Sequence, residues 1–211
     1  MSESRRVAAL ATLGLVVMTA VWGSTFVLIK DVVSRMPVAD FLAVRFAIAA
    51  LAMLILFWRQ AWRLGRAQIL RGLLLGAIYG IGQLLQTRGL ALISPSVSGF
   101  ATGMYVVFTP ILALVLLRQQ VAGIVWLAVA LATAGLALLT LDGFEVGLGV
   151  WLTLASAVCY ALHIILLGQW SRRGEAFGLS AVQMVAIALV CLLATTPHGP
   201  TLPPDPGAWF A

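Results

Sequence analysis

The chain has 211 residues, of which 62% are hydrophobic and 9% are charged, whereas soluble domains average about 45–50% apolar and about 25% charged residues. This composition excludes a soluble globular protein and predicts an all-α integral membrane protein. The net charge of +6 does not indicate nucleic-acid binding, because the basic residues punctuate apolar runs instead of forming one surface. Both cysteines lie inside apolar runs, so we expect no disulfide framework, no metal site and no cofactor.

Seven apolar runs are long enough to cross a bilayer as helices, which takes about 20 residues each. In chain order they cover residues 8–29, 38–58, 70–92, 95–117, 121–141, 147–169 and 177–196. Stretches such as 111–117 do not alternate polar and apolar residues, so we expect a polytopic helical bundle. The first run follows a short polar N-terminus without a cleavage site, and we interpret it as a retained span.

The distribution of basic residues predicts the orientation of these spans. With the N-terminus in the cytoplasm, the cytoplasmic side receives Arg5, Arg6, Arg59, Arg63, Arg66, Arg71, Arg118, Arg172 and Arg173, and the outer side receives Lys30, Arg35 and Arg88. This bias follows the positive-inside rule. Seven crossings then place the tail, residues 197–211, outside. The tail is rich in proline and glycine and has no helical period, so we expect it to be disordered.

A weak internal similarity predicts a repeat. Ala20-Val21-Trp22 aligns with Ala157-Val158-Cys159, and Ala43-Val44-Arg45 aligns with Ala181-Val182-Gln183. A unit of five spans crosses an odd number of times, so its second copy enters the membrane from the opposite side, as in many secondary transporters. The predicted organisation is a five-helix repeat over residues 8–141 and two helices of an inverted second repeat over residues 147–196.

Short motifs in the first five spans occur in the order and spacing of a known transporter family. They are Trp22-Gly23-Ser24-Thr25-Phe26 followed by Lys30, Leu42-Ala43-Val44-Arg45-Phe46, Gly80 to Thr87, Ser94 to Phe100, Pro110, and Gly135 to Leu139. With these motifs the chain resembles the EamA-type branch of the drug/metabolite transporter superfamily. The resemblance implies ten spans in two inverted repeats that move small metabolites across a bacterial inner membrane. By that measure the chain holds one repeat and the opening of the next. It also carries Arg118-Gln119-Gln120 after span 4, where members often have a glutamate.

Polar and aromatic residues within the spans are candidates for a substrate cavity. They are Trp22, Ser24, Thr25, Arg45, Tyr79, Gln83, Gln86, Ser98, Thr102 and Tyr105. Arg45 is the most costly of these residues to place in the membrane, because a central arginine costs about 2.5–3.5 kcal/mol on insertion scales. Its guanidinium either faces a substrate carboxylate or a helix C-terminus in the cavity, or it snorkels to the outer interface or braces neighbouring carbonyls. Tyr79, Gln83 and Gln86 share one helix face by their spacing.

Several of these residues have a structural alternative. Trp22 is either part of the cavity or an interfacial anchor, and serine and threonine hydroxyls can bond to their own helix carbonyls. His163 is either a packed, hydrogen-bonded side chain or a group that titrates near neutral pH. Glycines at intervals of four, Gly72, Gly76 and Gly80 in span 3 and Gly99 and Gly103 in span 4, predict close helix contacts. Pro110 predicts a kink in span 4.

Motifs that are absent from the sequence argue against several functional classes. The sequence contains no G-x-x-x-x-G-K-[ST], which excludes ATP binding by a P-loop. It also has no H-E-x-x-H, no G-x-S-x-G and no aspartate pair within the spans, so we expect no enzyme. No acidic residue lies at mid-membrane, so the usual carboxylate proton relay of pumps is not visible.

We therefore expect a multi-pass secondary transporter of the bacterial inner (plasma) membrane, working by alternating access. Its expected partners are the lipid bilayer and a small organic metabolite, such as an amino acid or a related compound, and no nucleic acid. The alternative is a truncated, non-transporting membrane remnant or a helical membrane scaffold. Self-association is a further expectation, because a second copy would supply the helices that the resemblance implies.

Overall fold

The computed structural model describes residues 3–141, 147–172, 174–195, 199, 201–205 and 209. Within this part of the chain, eight helices follow one another: α1 (Glu3–Val32), α2 (Val38–Trp62), α3 (Arg66–Leu92), α4 (Pro95–Gly103), α5 (Tyr105–Leu117), α6 (Gly123–Leu141), α7 (Leu148–Trp170) and α8 (Ala176–Leu193). The all-helical architecture predicted from composition is confirmed.

Six stretches of the described chain are long and apolar enough to cross a membrane. They are Leu10–Val32 of α1, then α2, α3, the combined α4 and α5, α7 and α8, and they correspond to six of the seven predicted runs. The fifth predicted run forms α6, whose described apolar part, Gly123–Gly135, is shorter than a full span. By length and composition the chain is a multi-pass membrane protein.

The fourth span is interrupted at a different place from the one that its proline predicts. The interruption lies at Met104, between α4 and α5, and Pro110 lies inside α5. Gly103 precedes the break, and a Cβ added there would meet nothing within 4 Å. Glycine in a helix costs about 0.5–1 kcal/mol relative to alanine, whereas Met104 itself is buried in a cluster with Val107 and Ala157. The helix therefore breaks at Gly103 and Met104, one turn before the backbone bond that Pro110 removes.

The tightest packing joins the proposed first repeat to α7 and α8. Helix α3 packs along both α7 and α8, and α2 packs along α8, whereas contacts among α1 to α6 are sparse. A Cβ at Gly76 would overlap the backbone oxygen of Gln183, and one at Gly72 would lie 2.8 Å from a methyl carbon of Val182. The close contact predicted from the glycines of span 3 is confirmed, and its partner is α8.

The two glycines of α4 behave differently. A Cβ added at Gly99 or Gly103 would meet nothing within 4 Å, and both residues line an open cleft of about 460 Å³ between α1 and α4. The prediction of close packing at these glycines is wrong, because no described side chain of a neighbouring helix reaches this face. Helix α1 is the most loosely held span, with 11% of its apolar window buried.

The turn between α1 and α2 meets residues 201–205 at one end of the bundle. Buried Asp40 accepts hydrogen bonds from the hydroxyl of Thr201 and, at 3.2 Å, from its backbone amide. Arg35 donates to Asp205 at 2.6 Å, and this hydrogen bond raises the pKa of Arg35. In these five residues the structure differs from the expected disorder, because side chains at the helix ends hold them. The chain after α8 thus lies at the same end of the bundle as the α1–α2 turn.

Candidate functional site

Helices α1, α2 and α3 enclose a cavity of about 160 Å³. Its lining residues are Trp22, Thr25, Phe26, Ile29, Arg45, Phe46, Tyr79, Gln83, Gln86, Thr87 and Leu90, and we call it the Arg45 cavity. Six of the ten predicted site residues line it: Trp22, Thr25, Arg45, Tyr79, Gln83 and Gln86. The structure therefore brings the predicted polar face of α3 together with the arginine of α2.

The guanidinium of Arg45 has aromatic neighbours and no hydrogen-bonded or ion-paired partner within the described residues. Its central carbon lies 5.9 Å from the ring centre of Phe41 and 6.0 Å from that of Phe46, within the range of cation–π contacts. Among the described residues no carboxylate or hydrogen-bond acceptor is paired with it. A half-buried guanidinium without a counterion is suited to an anion, because its planar fork matches the two oxygens of a carboxylate.

A chain of side-chain hydrogen bonds forms the wall behind this cavity. The amide nitrogen of Gln83 donates to the Tyr160 hydroxyl at 2.8 Å, and that hydroxyl donates to the side-chain oxygen of Gln86 at 2.7 Å. The amide nitrogen of Gln86 donates in turn to the hydroxyl of Thr102 at 3.0 Å. The chain joins α3, α4 and α7 and fixes the orientation of both glutamine side chains.

Tyr79 lies at the junction of the Arg45 cavity and two neighbouring cavities. One, of about 190 Å³, is lined by Trp22, Tyr79, Tyr105, Tyr160, His163 and Ile164; we call it the tyrosine cavity. The other, of about 200 Å³, is lined by Tyr79, His163, Ser180, Gln183, Met184 and Ile187; we call it the His163 cavity. The ring centre of Tyr79 lies 5.1 Å from those of both Tyr160 and His163. Predicted residue Tyr105 therefore lines the tyrosine cavity and is separated from Arg45 by other lining residues.

The predicted hydroxyl residues lie in different positions. Ser24 is exposed outside the three cavities, and its hydroxyl donates to the carbonyl three residues earlier at 2.7 Å. Thr25 lines the Arg45 cavity, but its hydroxyl makes the same kind of bond at 2.6 Å, as helical serine and threonine often do. Thr102 lies behind the wall on Gln86. Ser98 is fully buried, and its hydroxyl has no hydrogen-bond partner within the described residues.

Sequence reasoning missed Tyr160 and Gln183 as site residues. A signal for the first was available, because Tyr160 and His163 lie three residues apart in an apolar helix and therefore share a face. A signal for the second was the internal repeat, in which Gln183 aligns with Arg45. The two aligned residues line separate cavities that share Tyr79 as a wall.

Lys30 joins the C-terminal ends of α1 and α3 next to Ile29 and Leu90, which line the Arg45 cavity. Its ammonium donates to the backbone oxygens of Leu90 and Ala91, both at 2.8 Å, and of Ile93 at 3.0 Å. These are carbonyls at the C-terminus of α3, which have no partner within the helix and carry partial negative charge. Lys30 thus holds the end of α1 against the end of α3.

Residues 9–141 match the model of the EamA-like transporter family. The chain belongs to this family. It is also similar to an uncharacterized transporter of Archaeoglobus fulgidus, with 29% identity over 186 residues, which cover 85% of this chain and 56% of that protein. The chain therefore spans about half the length of this relative. No solved structure matches the chain.

The EamA match confirms the resemblance found in the motifs, and EamA proteins are a transporter family rather than an enzyme family. The matched region contains Arg45, Tyr79, Gln83 and Gln86. Helices α7 and α8 lie beyond it, yet they contribute His163 and other lining residues of the tyrosine cavity and the His163 cavity. In this EamA chain the candidate site therefore extends past the segment by which the family is recognised.

Proposed function

We propose that this chain binds a small organic metabolite through its carboxylate in the Arg45 cavity, as part of an EamA-type secondary transporter. The metabolite is an amino acid or a related compound, and it crosses a bacterial inner membrane by alternating access. The observation that carries the proposal is the guanidinium of Arg45, which lines a membrane cavity without a paired carboxylate among the described residues.

The charge of the cavity favours an anion. None of the residues described as lining the Arg45 cavity is acidic, and Arg45 is the charged one among them. A cation inside a membrane protein is costly unless it is paired or hydrated, and a substrate carboxylate offers both charge and two acceptors. Tyr79, Gln83 and Gln86 supply hydrogen-bonding groups for the remaining polar atoms of a small molecule. The volume of about 160 Å³ suits a compound of a few carbon atoms.

The packing of α2 against α8 supports an inverted repeat, an architecture of many transporters that work by alternating access. Phe41 and Ala43 of α2 are buried, and so are Leu179 and Ala181, which the repeat aligns with them. Equivalent faces of the two helices thus meet along one contact. In transporters built from inverted repeats the substrate binds near the midplane between the halves, and Arg45 lies beside this contact.

Matched ligands test the proposal in the purified full chain in lipid nanodiscs. L-Serine carries a carboxylate and an amine, lactate carries a carboxylate without an amine, and L-serinamide carries an amine without a carboxylate. We expect serine and lactate to bind and serinamide to bind at least tenfold more weakly. Equal binding of serine and serinamide would contradict the role of the carboxylate. Exchange of labelled serine in proteoliposomes then tests transport.

Substitution of Arg45 tests its role directly. Arg45→Gln keeps hydrogen bonding and removes the charge, and loss of one partner of a charge pair costs about 2 kcal/mol or more, so serine affinity should fall about 30-fold. Arg45→Lys keeps the charge without the planar fork and should restore part of the affinity. Arg59→Gln is the matched control, because the guanidinium of Arg59 lies over Trp58 near the other end of α2. Unchanged affinity in Arg45→Gln would remove Arg45 from the site.

A further inference from the structure

We infer that His163 is a proton-binding site whose protonation is coupled to an anion at Arg45, so that one proton travels with each anion. The transport part of this inference rests on the proposed function, whereas the electrostatic coupling between His163 and Arg45 does not. The coupling rests on the tautomer of His163, on the groups that surround it and on Tyr79, which lies between its cavities and the Arg45 cavity.

One ring nitrogen of His163 is fixed by the backbone. Its Nδ1 atom lies 3.1 Å from the carbonyl oxygen of Leu75 in α3. A carbonyl oxygen only accepts hydrogen bonds, so Nδ1 carries the hydrogen and Nε2 is the atom left to take up a proton. The side chain lines both the tyrosine cavity and the His163 cavity. His163 is therefore held in one tautomer at a position that two cavities reach.

The groups facing His163 carry no described negative charge. Helix α3 contributes Tyr79, α5 contributes Tyr105 across the tyrosine cavity, and α7 itself contributes Tyr160. Helix α8 contributes the uncharged residues Ser180 and Gln183. Tyr79 also lines the Arg45 cavity, in which Arg45 is the charged lining residue.

Protonation of Nε2 thus adds a positive charge on one side of Tyr79, while the guanidinium of Arg45 lies in the cavity on its other side. Like charges in a poorly hydrated site repel, which disfavours the proton while the Arg45 cavity is empty. An anion in the Arg45 cavity neutralises the guanidinium and attracts the protonated ring. Linkage then requires that the bound anion strengthens proton binding by the same factor by which the proton strengthens anion binding.

This coupling has a consequence for the driving force. A proton taken from water at one side binds to Nε2 together with the anion and is released from Nε2 with it at the other side. For a monoanion such as lactate the pair that moves is electroneutral. A pH gradient would therefore drive transport, and the membrane voltage would have little effect on it.

The first experiment needs no ligand. The chain contains two histidines, so His198→Gln leaves His163 as the single one, and ¹⁵N NMR of its ring in nanodiscs reports tautomer and protonation against pH. We expect the Nδ1–H tautomer at high pH. We also expect Arg45→Gln to move the titration midpoint at least half a pH unit upward, and the control Arg59→Gln to leave it in place. An identical titration in Arg45→Gln, or a ring that stays neutral down to pH 4.5 in both proteins, would overturn the inference.

The second experiment measures the affinity for lactate at pH 5.5 and pH 7.5. Lactate stays ionised in this range, since carboxylic acids titrate near pH 4. We expect about tenfold tighter binding at pH 5.5 in the wild-type chain and pH-independent binding in His163→Gln, in line with usual coupling factors of about 5–150. Equal wild-type affinity at both pH values overturns the coupling and leaves the proposed function intact. Absence of lactate binding at both pH values counts against the proposed function, and the ligand-free titration then decides the role of His163.

Discussion

The hydroxyl of Tyr160 donates a hydrogen bond of 2.7 Å to the side-chain oxygen of Gln86, and both residues are buried. The bond joins α7 to α3 across 74 positions of the sequence. It also orients the side-chain amide of Gln86 so that its nitrogen donates to the hydroxyl of Thr102. The uncharged hydroxyl of Tyr160 therefore fixes the side chains that form the polar wall of the Arg45 cavity.

Tyr160→Phe should destabilise the protein, because it leaves the buried oxygen of Gln86 without its donor. An unsatisfied buried polar group costs about 1–3 kcal/mol, and unfolding in mixed detergent micelles should report a loss of that size. Tyr105→Phe is the matched control, since no hydrogen bond of the Tyr105 hydroxyl occurs among the described residues. Equal losses in the two variants would mean that the Tyr160 hydroxyl does not hold this wall.

Gly76→Ala should separate α3 from α8. The added methyl group would overlap the backbone oxygen of Gln183, which cannot turn away as a side chain can, and overpacking of this kind costs about 1–3 kcal/mol. Gly23→Ala places the same group on α1 with nothing within 4 Å. It should be neutral or stabilise the helix by up to about 1 kcal/mol. Thermal unfolding in one detergent compares the two variants, and a Gly76→Ala protein as stable as wild type would refute the close contact.

Lys30→Met should destabilise the C-terminal end of α3. It removes a charged donor from three backbone oxygens, and a hydrogen bond to a charged group contributes about 1.5–3 kcal/mol. Hydrogen exchange of the amides in residues 89–93 should accelerate, while exchange in the first turns of α3 stays slow. Arg88→Met removes an exposed basic residue from the same segment and should leave the exchange unchanged. Lys30→Arg should preserve most of the protection.

The local features of the fold and of the candidate site could be predicted from the sequence, whereas the long-range contacts could not. The shared face of Tyr79, Gln83 and Gln86 follows from helical spacing alone, and the apolar runs reveal the spans because lipid demands them. The break at Met104 escaped prediction because Pro110 is the stronger local signal, whereas the lack of support at Gly103 is a tertiary property. No local pattern could reveal that Lys30 meets the end of α3, some 60 residues further along the chain.

Reporter fusions test the predicted topology. A fusion after Arg66 and one after Arg172 should report the cytoplasm, and one after Pro204 should report the outside. The structure adds a constraint that is independent of charge: Arg35 contacts Asp205, so fusions after Arg35 and after Pro204 must report the same compartment. Opposite results for that pair would contradict the contact between Arg35 and Asp205.

Because packing among α1 to α6 is sparse, the segment that is inherited as a unit differs from the segment that is stable as a unit. The segment that defines the family, residues 9–141, is a recognisable evolutionary module, but its glycine-lined helix α3 finds its close partners in α7 and α8. During synthesis the earlier spans would enter the bilayer and stay loosely associated until these later helices arrive. Residues 9–141 are therefore inherited as one segment. Helix α3 of this segment reaches its packed state only after α7 and α8 have been synthesised and inserted.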